Sequence, residues 1–186
     1  MSANKNRKTI CFTSDLCIGC YSCVVSCMDQ NNLDVTRDSL AWRHVEQVPS
    51  HGGAACVAVG PDSAKGDVLA GSPYEINVSI ACMHCEDAAC ITACPTGALT
   101  RDAATGSVIV RRRLCIGCHA CAMACPFGAP RFGADGRMQK CDGCYARTQF
   151  GLEPACVRNC PTNALTYECA NDAAESKAAA AAKRMA

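Results

Sequence analysis

The chain has 186 residues, and its 18 Lys and Arg residues nearly balance its 17 Asp and Glu residues, which leaves a formal net charge of +1. This length fits one compact domain or two small ones, and this charge argues against a nucleic-acid-binding protein. Val, Ile, Leu and Phe together supply only about 17% of the residues, below the level of an ordinary folded core. Since alanine buries little apolar area, something other than aliphatic packing is expected to hold the chain together.

Nineteen cysteines make sulfur the dominant feature of the composition. Secreted disulfide-rich domains are shorter, have an even cysteine count and follow a signal peptide, whereas this count is odd and the opening MSANKNRKTICF has no apolar stretch. The thiols are therefore expected to bind metal. No run of about 18 apolar residues is present, so no membrane-spanning segment is expected. The chain is expected to be cytoplasmic or exported with a partner, and to reach any membrane through that partner.

Four cysteine groups follow one another along the chain, with short strands predicted around them from β-branched content and turn residues. In chain order the strands are predicted at 8–12, 40–48, 75–81, 98–101, 107–111 and 164–168. The four groups are Cys17, Cys20, Cys23 and Cys27; Cys82, Cys85, Cys90 and Cys94; Cys115, Cys118, Cys121 and Cys125; and Cys141, Cys144, Cys156 and Cys160. The first and third groups share CIGC at an offset of 98 residues, and the second and fourth share ACxxxCPTxALT at an offset of 66. Two half-motifs are therefore each used twice.

The third group has the spacing C-x2-C-x2-C-x3-C-P, the run that binds 4Fe-4S clusters in bacterial ferredoxins, where the fourth cysteine serves the other cluster of a pair. We expect a loop to carry the first three cysteines, because a helix or strand would make them diverge, and the fourth to open a helix behind it. A zinc site prefers two C-x2-C pairs separated by a longer segment. This spacing therefore favours iron-sulfur clusters over zinc, a redox CxxC pair or a disulfide scaffold.

The other three groups are variants that keep all four cysteines. The second and fourth insert residues between their second and third cysteines, and the first lacks the final proline, which supplies no ligand. Sixteen cysteines then predict four 4Fe-4S clusters, each of charge roughly −2 when oxidised. Nearby cations would favour electron uptake. The candidates for this role are Arg131, Lys140, Arg147 and Arg158.

Residues 98–111 are typical of a hairpin, the connection that joins the halves of a two-cluster ferredoxin. This predicts an α+β fold of two bacterial-ferredoxin-like units, one inserted within the other, with loop insertions. The predicted parts are an outer unit of 8–30 plus 135–168, an insertion at 31–75 able to contact a partner, an inner unit at 76–134 whose first strand is 75–81, and an Ala-rich tail with helical propensity at 169–186.

In such a fold, the fourth cysteine of each group is exchanged with the paired group. The expected ligand sets are Cys17, Cys20 and Cys23 with Cys160; Cys141, Cys144 and Cys156 with Cys27; Cys82, Cys85 and Cys90 with Cys125; and Cys115, Cys118 and Cys121 with Cys94. The alternative is sequential pairing of the first group with the second, which would leave the hairpin without a role.

The chain resembles a known family in the order of its groups and in four motifs. These motifs are CPTGAL at 94–99, CPFGAPRF at 125–132, KCDGCYAR at 140–147 and PACVRNCPTNAL at 154–165. They are similar to motifs of the four-cluster electron-transfer subunits of molybdopterin oxidoreductases, of the dimethyl-sulfoxide, polysulfide and thiosulfate reductase type. In some relatives a Trp replaces the second ligand of the third group, whereas Cys118 stands there in this chain.

The resemblance covers about residues 8–168 and implies a non-catalytic subunit. Such a subunit relays electrons between a molybdenum or tungsten bis-pterin catalytic subunit and a redox partner or a quinone-reactive membrane subunit. The chain departs from the family in its short length and in an unusual Gly- and Ala-rich loop at 49–72. A free-standing soluble polyferredoxin is the alternative function, and a structural zinc protein is a third.

Overall fold

The computed structural model describes residues 7–33, 41–49 and 75–169, together with positions 172, 175, 178, 179 and 182, which are helical. Most of the predicted insertion at 31–75, including the loop at 49–72 apart from its first residue, lies outside the described residues. The elements in chain order are β1 (Lys8–Phe12), α1 (Ser22–Gln30), β2 (His44–Pro49), β3 (Glu75–Ile80), α2 (Ala89–Thr92), β4 (Leu99–Arg101), β5 (Val108–Val110), α3 (Ala120–Ala124), β6 (Arg131–Phe132), β7 (Met138–Gln139), α4 (Tyr145–Thr148), α5 (Ala155–Arg158) and β8 (Leu165–Cys169). Single 3-10 turns, Ser14–Leu16 and Arg112–Leu114, precede the first and third cysteine groups.

The strands form four two-stranded antiparallel sheets. β1 pairs with β8 from Lys8 opposite Cys169 to Phe12 opposite Leu165, so the two ends of the ferredoxin-like region meet. β4 pairs with β5 as the predicted hairpin. Its turn forms because the Asp102 carboxylate accepts hydrogen bonds from the backbone N–H and hydroxyl of Thr105, at 2.7 and 2.8 Å.

Two strand pairings were not predicted from the sequence. β3, predicted as the first strand of the inner unit, pairs with β2 over six residues, from Ile80 opposite His44 to Glu75 opposite Pro49. The segment after the third group closes on itself as the short hairpin β6–β7. Its turn is local, because the N–H of Gly136 donates to the carbonyl of Gly133 at 2.9 Å, so this segment needs no distant strand.

Two small cores lie beneath these strands, and both contain cysteine. The first core consists of Cys23, Val45, Cys156, Val157 and Leu165, and the second of Ala88, Leu99, Val108, Cys121 and Met138. α1 packs against α5 near the first core, and α2 packs against α3 near the second. The first and fourth cysteine groups are thereby brought together, as are the second and third. Among the helices of the described ranges, none has the length and apolar content to cross a membrane.

Replacement of Met138 by alanine tests how much the second core depends on side-chain packing. Met138 is 1% exposed, so Met138→Ala is expected to lower the free energy of unfolding by about 2–5 kcal/mol through lost contacts and a residual cavity. The readout is the thermal midpoint of the cluster-loaded protein at a fixed scan rate, which shifts by about 2–4 °C per kcal/mol at this chain length.

Met123→Ala is the matched control, because Met123 is 88% exposed and its truncation removes little packing. Equal midpoints for the two variants would contradict the assignment of Met138 to a core.

Candidate metal centres

The first and third cysteine groups fold into the same loop. Gly19 and Tyr21 have φ angles of +67° and +60°, and Gly117 and His119 have +69° and +62°. Two left-handed residues on either side of the second cysteine curl the chain, and a helix begins directly afterwards. The repeated CIGC in the sequence therefore corresponds to a repeated backbone conformation.

The placement of the later cysteines corrects one expectation. The third cysteine of the first group, Cys23, lies in the first turn of α1, and Cys121 lies in α3, so a loop alone does not carry the first three thiols. The fourth cysteine does not open a helix either, because Cys27 lies near the end of α1 and Cys125 directly follows α3. Tyr21 and His119, the left-handed residues before α1 and α3, turn the first residues of each helix toward the preceding loop. The third cysteine can therefore lie in the helix and still face the first two.

A second repeated turn follows the fourth cysteine. Gly97, Gly128 and Asn163, each three residues after such a cysteine, have φ angles of +62°, +57° and +53°. Glycine adopts this conformation freely, and asparagine tolerates it better than most residues. The turns after Cys94 and Cys160 lead into β4 and β8, so each of these cysteines is held at the start of a strand pair.

Three concave sites are each lined by four cysteines drawn from two groups. One site, of about 310 Å³, is lined by Cys17, Cys20, Cys23 and Cys160. A second, of about 540 Å³, is lined by Cys82, Cys85, Cys90 and Cys125, and a third, of about 330 Å³, by Cys94, Cys115, Cys118 and Cys121. These volumes are partly open to solvent. In each site, three cysteines come from one group and the fourth comes from the other group.

The remaining four predicted site cysteines also lie together. Burial, followed by the negative charges of Cys141, Cys156 and Cys144, raises the pKa of the Cys27 thiol. Burial likewise raises the pKa of Cys141 to about 12. We call the set of Cys27, Cys141, Cys144 and Cys156 and the set of Cys17, Cys20, Cys23 and Cys160 the outer sets. The set that contains Cys90 and the set that contains Cys118 are the inner sets.

The chemistry of these sets fits iron-sulfur clusters. Several sulfurs accept backbone hydrogen bonds: Cys115 from the N–H of Met138 at 3.3 Å, and Cys144 from the N–H of Ala155 at 3.4 Å. Such bonds stabilise a thiolate and raise the potential of a cluster bound to it. In the ranges that the structure describes, no three His, Cys, Asp or Glu side chains converge on a single-ion position. A cube binds each thiolate on a separate iron, so its ligands need not converge in this way.

Lys140 lies between an outer set and an inner set. It is 2% exposed, and its Nζ donates hydrogen bonds to the carbonyls of Val108 and of Cys141. Burial raises the pKa of both the Cys90 and the Cys141 thiol, and the charge of Lys140 opposes that rise. Of the four cations expected from the sequence to tune the clusters, this one is buried among the cysteines.

The other three expected cations lie in short elements, Arg147 in α4, Arg131 in β6 and Arg158 in α5. Arg147 donates to the carbonyl of Glu153 at 2.7 Å and to the side chain of Gln30 at 3.3 Å. Arg131 donates to backbone carbonyls of its own turn, and Arg158 is exposed. These contacts hold the segments around the fourth and third groups.

Arginine and histidine side chains anchor the loop of the second group. Arg7 donates to the carbonyl of His84 at 2.5 Å, and Arg101 donates to the carbonyl of Glu86 at 2.7 Å. The Nδ1 atom of His84 accepts the N–H of Val108 at 2.9 Å, and burial lowers the pKa of His84 to about 3. His84 is therefore neutral and ties the loop to β5.

Arg43 and Ser79, for which the sequence analysis predicted no role at the clusters, lie between the outer sets. Arg43 is 4% exposed, its Nη1 donates to Ser79 Oγ at 2.9 Å, and that oxygen lies 3.4 Å from Cys23 Sγ. Burial alone would lower the pKa of Arg43, but nearby cysteines raise it. An arginine just before a strand ordinarily indicates a solvated surface, so only the fold reveals this position.

Comparison with known proteins identifies the kind of domain. Residues 73–170 match the family described as "4Fe-4S dicluster domain", and residues 14–28 match "4Fe-4S binding domain". The cysteine groups of this chain are therefore those of iron-sulfur proteins of the ferredoxin type.

Curated relatives define the family more closely. The chain is 37% identical over 155 residues to "Probable anaerobic dimethyl sulfoxide reductase chain YnfG" of Escherichia coli (strain K12), covering 83% of this chain and 69% of that protein. It is also 37% identical over 158 residues to a subunit of the anaerobic dimethyl sulfoxide reductase of Haemophilus influenzae, covering 84% and 71%. The "Formate dehydrogenase, nitrate-inducible, iron-sulfur subunit" of Escherichia coli (strain K12) is 35% identical over 164 residues, covering 81% and 50%. The chain therefore belongs to this family of iron-sulfur subunits of oxidoreductases.

The left-handed glycines of the loops lead to a prediction for Gly117. A Cβ at Gly117 would lie 2.6 Å from the carbonyl oxygen of Gly136, whereas one at Gly128 would meet nothing within 4 Å. Both alanine variants incur the left-handed cost of about 1–2 kcal/mol. Gly117→Ala adds a steric conflict on the order of 1–3 kcal/mol and is expected to lose its visible cluster absorption at a lower temperature.

Gly128→Ala serves as the control in the same melting experiment. If the two variants melted together, the close approach of the third group's loop to the turn of the β6–β7 hairpin would be refuted.

Proposed function

We propose that this chain is an electron-transfer subunit that binds four 4Fe-4S clusters through its sixteen grouped cysteines. The clusters are held in two ferredoxin-like units, the outer one from 8–30 plus 135–168 and the inner one from 76–134. The observation that carries the proposal is the exchange of cysteines, in which each concave site takes three cysteines from one group and the fourth from the paired group. A chance clustering of thiols would not reproduce this pattern, and sequential pairing of the first group with the second would not bring these cysteines together.

The nested arrangement draws support from the strands and helices. β1 and β8 join the ends of the outer unit, and β4 and β5 join the two groups of the inner unit. The paired helices, α1 with α5 and α2 with α3, follow the same division. β3, at the start of the proposed inner unit, pairs with β2 from the segment before it.

The four sets are adjacent in space, which suits a relay. Cys23 of one outer set and Cys156 of the other interact electrostatically, and Lys140 faces Cys141 and Cys90 across the junction of the two units. When bound, a 4Fe-4S cluster supplies reversible one-electron transfer. The chain itself holds the clusters in order, donates hydrogen bonds to their sulfurs and provides cations beside them, so the function requires no acid, base or nucleophile.

The partner is proposed from the family. The relatives are named as subunits of a dimethyl sulfoxide reductase and a formate dehydrogenase. By analogy, the chain docks on a molybdopterin catalytic subunit that contains molybdenum or tungsten, and passes electrons between it and a redox partner or a membrane subunit. The apolar side chains Ile18 and Ile116 are exposed and lie on the loops that carry the exposed Cys20, of an outer set, and Cys118, of an inner set, and they suit contact with such partners.

Metal analysis tests the cluster count and the pairing together. Anaerobically purified protein is expected to contain about sixteen iron and sixteen acid-labile sulfide per chain, four of each for every set of four thiolates. Cys118→Ser removes one ligand of an inner set. It is expected to change one electron paramagnetic resonance signal, for example to that of a 3Fe-4S centre, and to leave the signals of the outer sets unchanged.

Cys11→Ser is the matched control, because Cys11 lies outside the four groups and its variant is expected to keep the wild-type iron content. Stoichiometric zinc in place of iron would refute the proposal. Equal damage to all four signals in Cys118→Ser would refute the pairing.

Purification distinguishes a dedicated subunit from a free carrier. When this chain is tagged and expressed together with the products of the adjacent genes, it is expected to form a stable stoichiometric complex with a large pterin-containing subunit. The measurement is size-exclusion chromatography with pterin and metal analysis of the eluted complex. A cluster-loaded monomer that exchanges electrons with several unrelated oxidoreductases would instead identify a polyferredoxin.

A further inference from the structure

We propose that Arg43 sets the reduction potentials of both outer clusters, acting as a positioning residue whose buried charge favours their reduced state. This inference rests on the proposed four-cluster function and deepens it. It concerns a residue outside the cysteine groups, on the segment that leads into β2.

The geometry connects Arg43 to one outer set through a single hydroxyl. Its Nη1 donates to Ser79 Oγ at 2.9 Å, and Ser79 Oγ lies 3.4 Å from Cys23 Sγ. Ser79 lies opposite Val45 in the β2–β3 register, and Arg43 directly precedes β2, so this strand pair positions both the arginine and the hydroxyl. Once Cys23 is a thiolate, the hydroxyl is the donor and Arg43 orients it.

Arg43 also faces the other outer set. The cysteines that act on it most strongly are Cys156, Cys141, Cys23 and Cys27, in that order. Three of these belong to the set built around the fourth group, and Cys23 belongs to the first. One guanidinium therefore serves two centres, with the stronger effect on the set that contains Cys156.

The burial of Arg43 requires compensation by negative charge. A buried cation is costly unless anions or hydrogen bonds offset its lost hydration. The ion pairs found within the described ranges join His44 to Glu46 and Arg112 to Asp135, so neither compensates Arg43. Among the described residues, the cysteines of the outer sets supply compensating charge, since they raise the pKa of Arg43 against the effect of its burial.

The effect on the potentials follows from charge alone. Reduction adds one electron from a dissolved low-potential reductant and takes a cluster with its four thiolates from about −2 to about −3, with no bond made or broken and no proton moved. A fixed cation stabilises the more negative state more strongly. Removal of the cation therefore lowers both outer potentials.

Potentiometric titration of the full-length, cluster-loaded protein, followed by electron paramagnetic resonance, tests the inference. In Arg43→Gln, the equilibrium constant for one-electron reduction is expected to fall at least about tenfold, which is about 59 mV for one electron, at the outer set containing Cys156. The fall at the other outer set is expected to be smaller, and the inner sets are expected to keep their potentials. Variants Cys20→Ser, Cys144→Ser, Cys85→Ser and Cys118→Ser, one in each set, assign the four signals.

Three further variants separate charge from structure. Arg43→Lys retains the charge and is expected to restore most of the reduction potential that Arg43→Gln loses at the outer sets. Ser79→Ala removes only the hydroxyl and is expected to lower the potential of the set with Cys23 alone. Arg112→Gln removes an exposed cation that pairs with Asp135, so it is expected to change no potential.

The outcomes distinguish this inference from the proposed function. Four clusters with wild-type potentials in Arg43→Gln, or an Arg43→Lys shift as large as that of Arg43→Gln, would overturn the role of Arg43 and leave the four-cluster function intact. If Arg43→Gln loses iron, its potentials cannot be compared with those of the wild type, and Ser79→Ala becomes the test. An unchanged potential at the set with Cys23 in Ser79→Ala would then overturn the role of Arg43. Wild-type protein without four clusters would overturn both.

Discussion

Exchange of cysteines between distant segments of the sequence is the constraint that organises this molecule. In each site that the cysteines line, one thiol comes from a segment far from the other three, as with Cys160 beside Cys17, Cys20 and Cys23. On the proposed assignment, each cluster is a covalent cross-link between two segments. Because metal binding and folding are coupled in such proteins, the clusters replace the large aliphatic core that the composition cannot supply.

The buried charges follow from the same constraint. Lys140 donates only to backbone carbonyls among its described contacts, and Arg43 donates to a hydroxyl, yet both are almost fully buried. On the proposed assignment, four thiolates around each cluster make the interior negative, which offsets the lost hydration of these cations. Burial would then place fixed positive charge beside redox centres, with Arg43 between the two outer sets and Lys140 between an outer and an inner set.

The predicted strands were most accurate where local patterns and turn chemistry agree. β1 was placed correctly, and β4, β5 and β8 were placed to within one residue at each end, because β-branched stretches adjoin recognisable turns such as that of Asp102 and Thr105. The sequence predicted no partner for β3, since pairing depends on which strand is near in space. The helical position of Cys23 was also missed, because it follows from the left-handed backbone of Tyr21, a residue that rarely adopts that conformation.

Cysteine spacing was enough to define the chemistry. That spacing is set by the reach of a short loop around a cluster, so the sixteen grouped residues and their division into repeats could be named from their positions along the chain. The burial of Lys140, which the sequence already offered as a candidate, and the approach of Arg43 and Ser79 to the cysteines became visible only in the tertiary structure. Ser79 lies in β3 and Arg43 directly precedes β2, a strand pair without a cysteine motif. The potential at a site depends on all charges nearby in space, and distance along the chain carries little information about that.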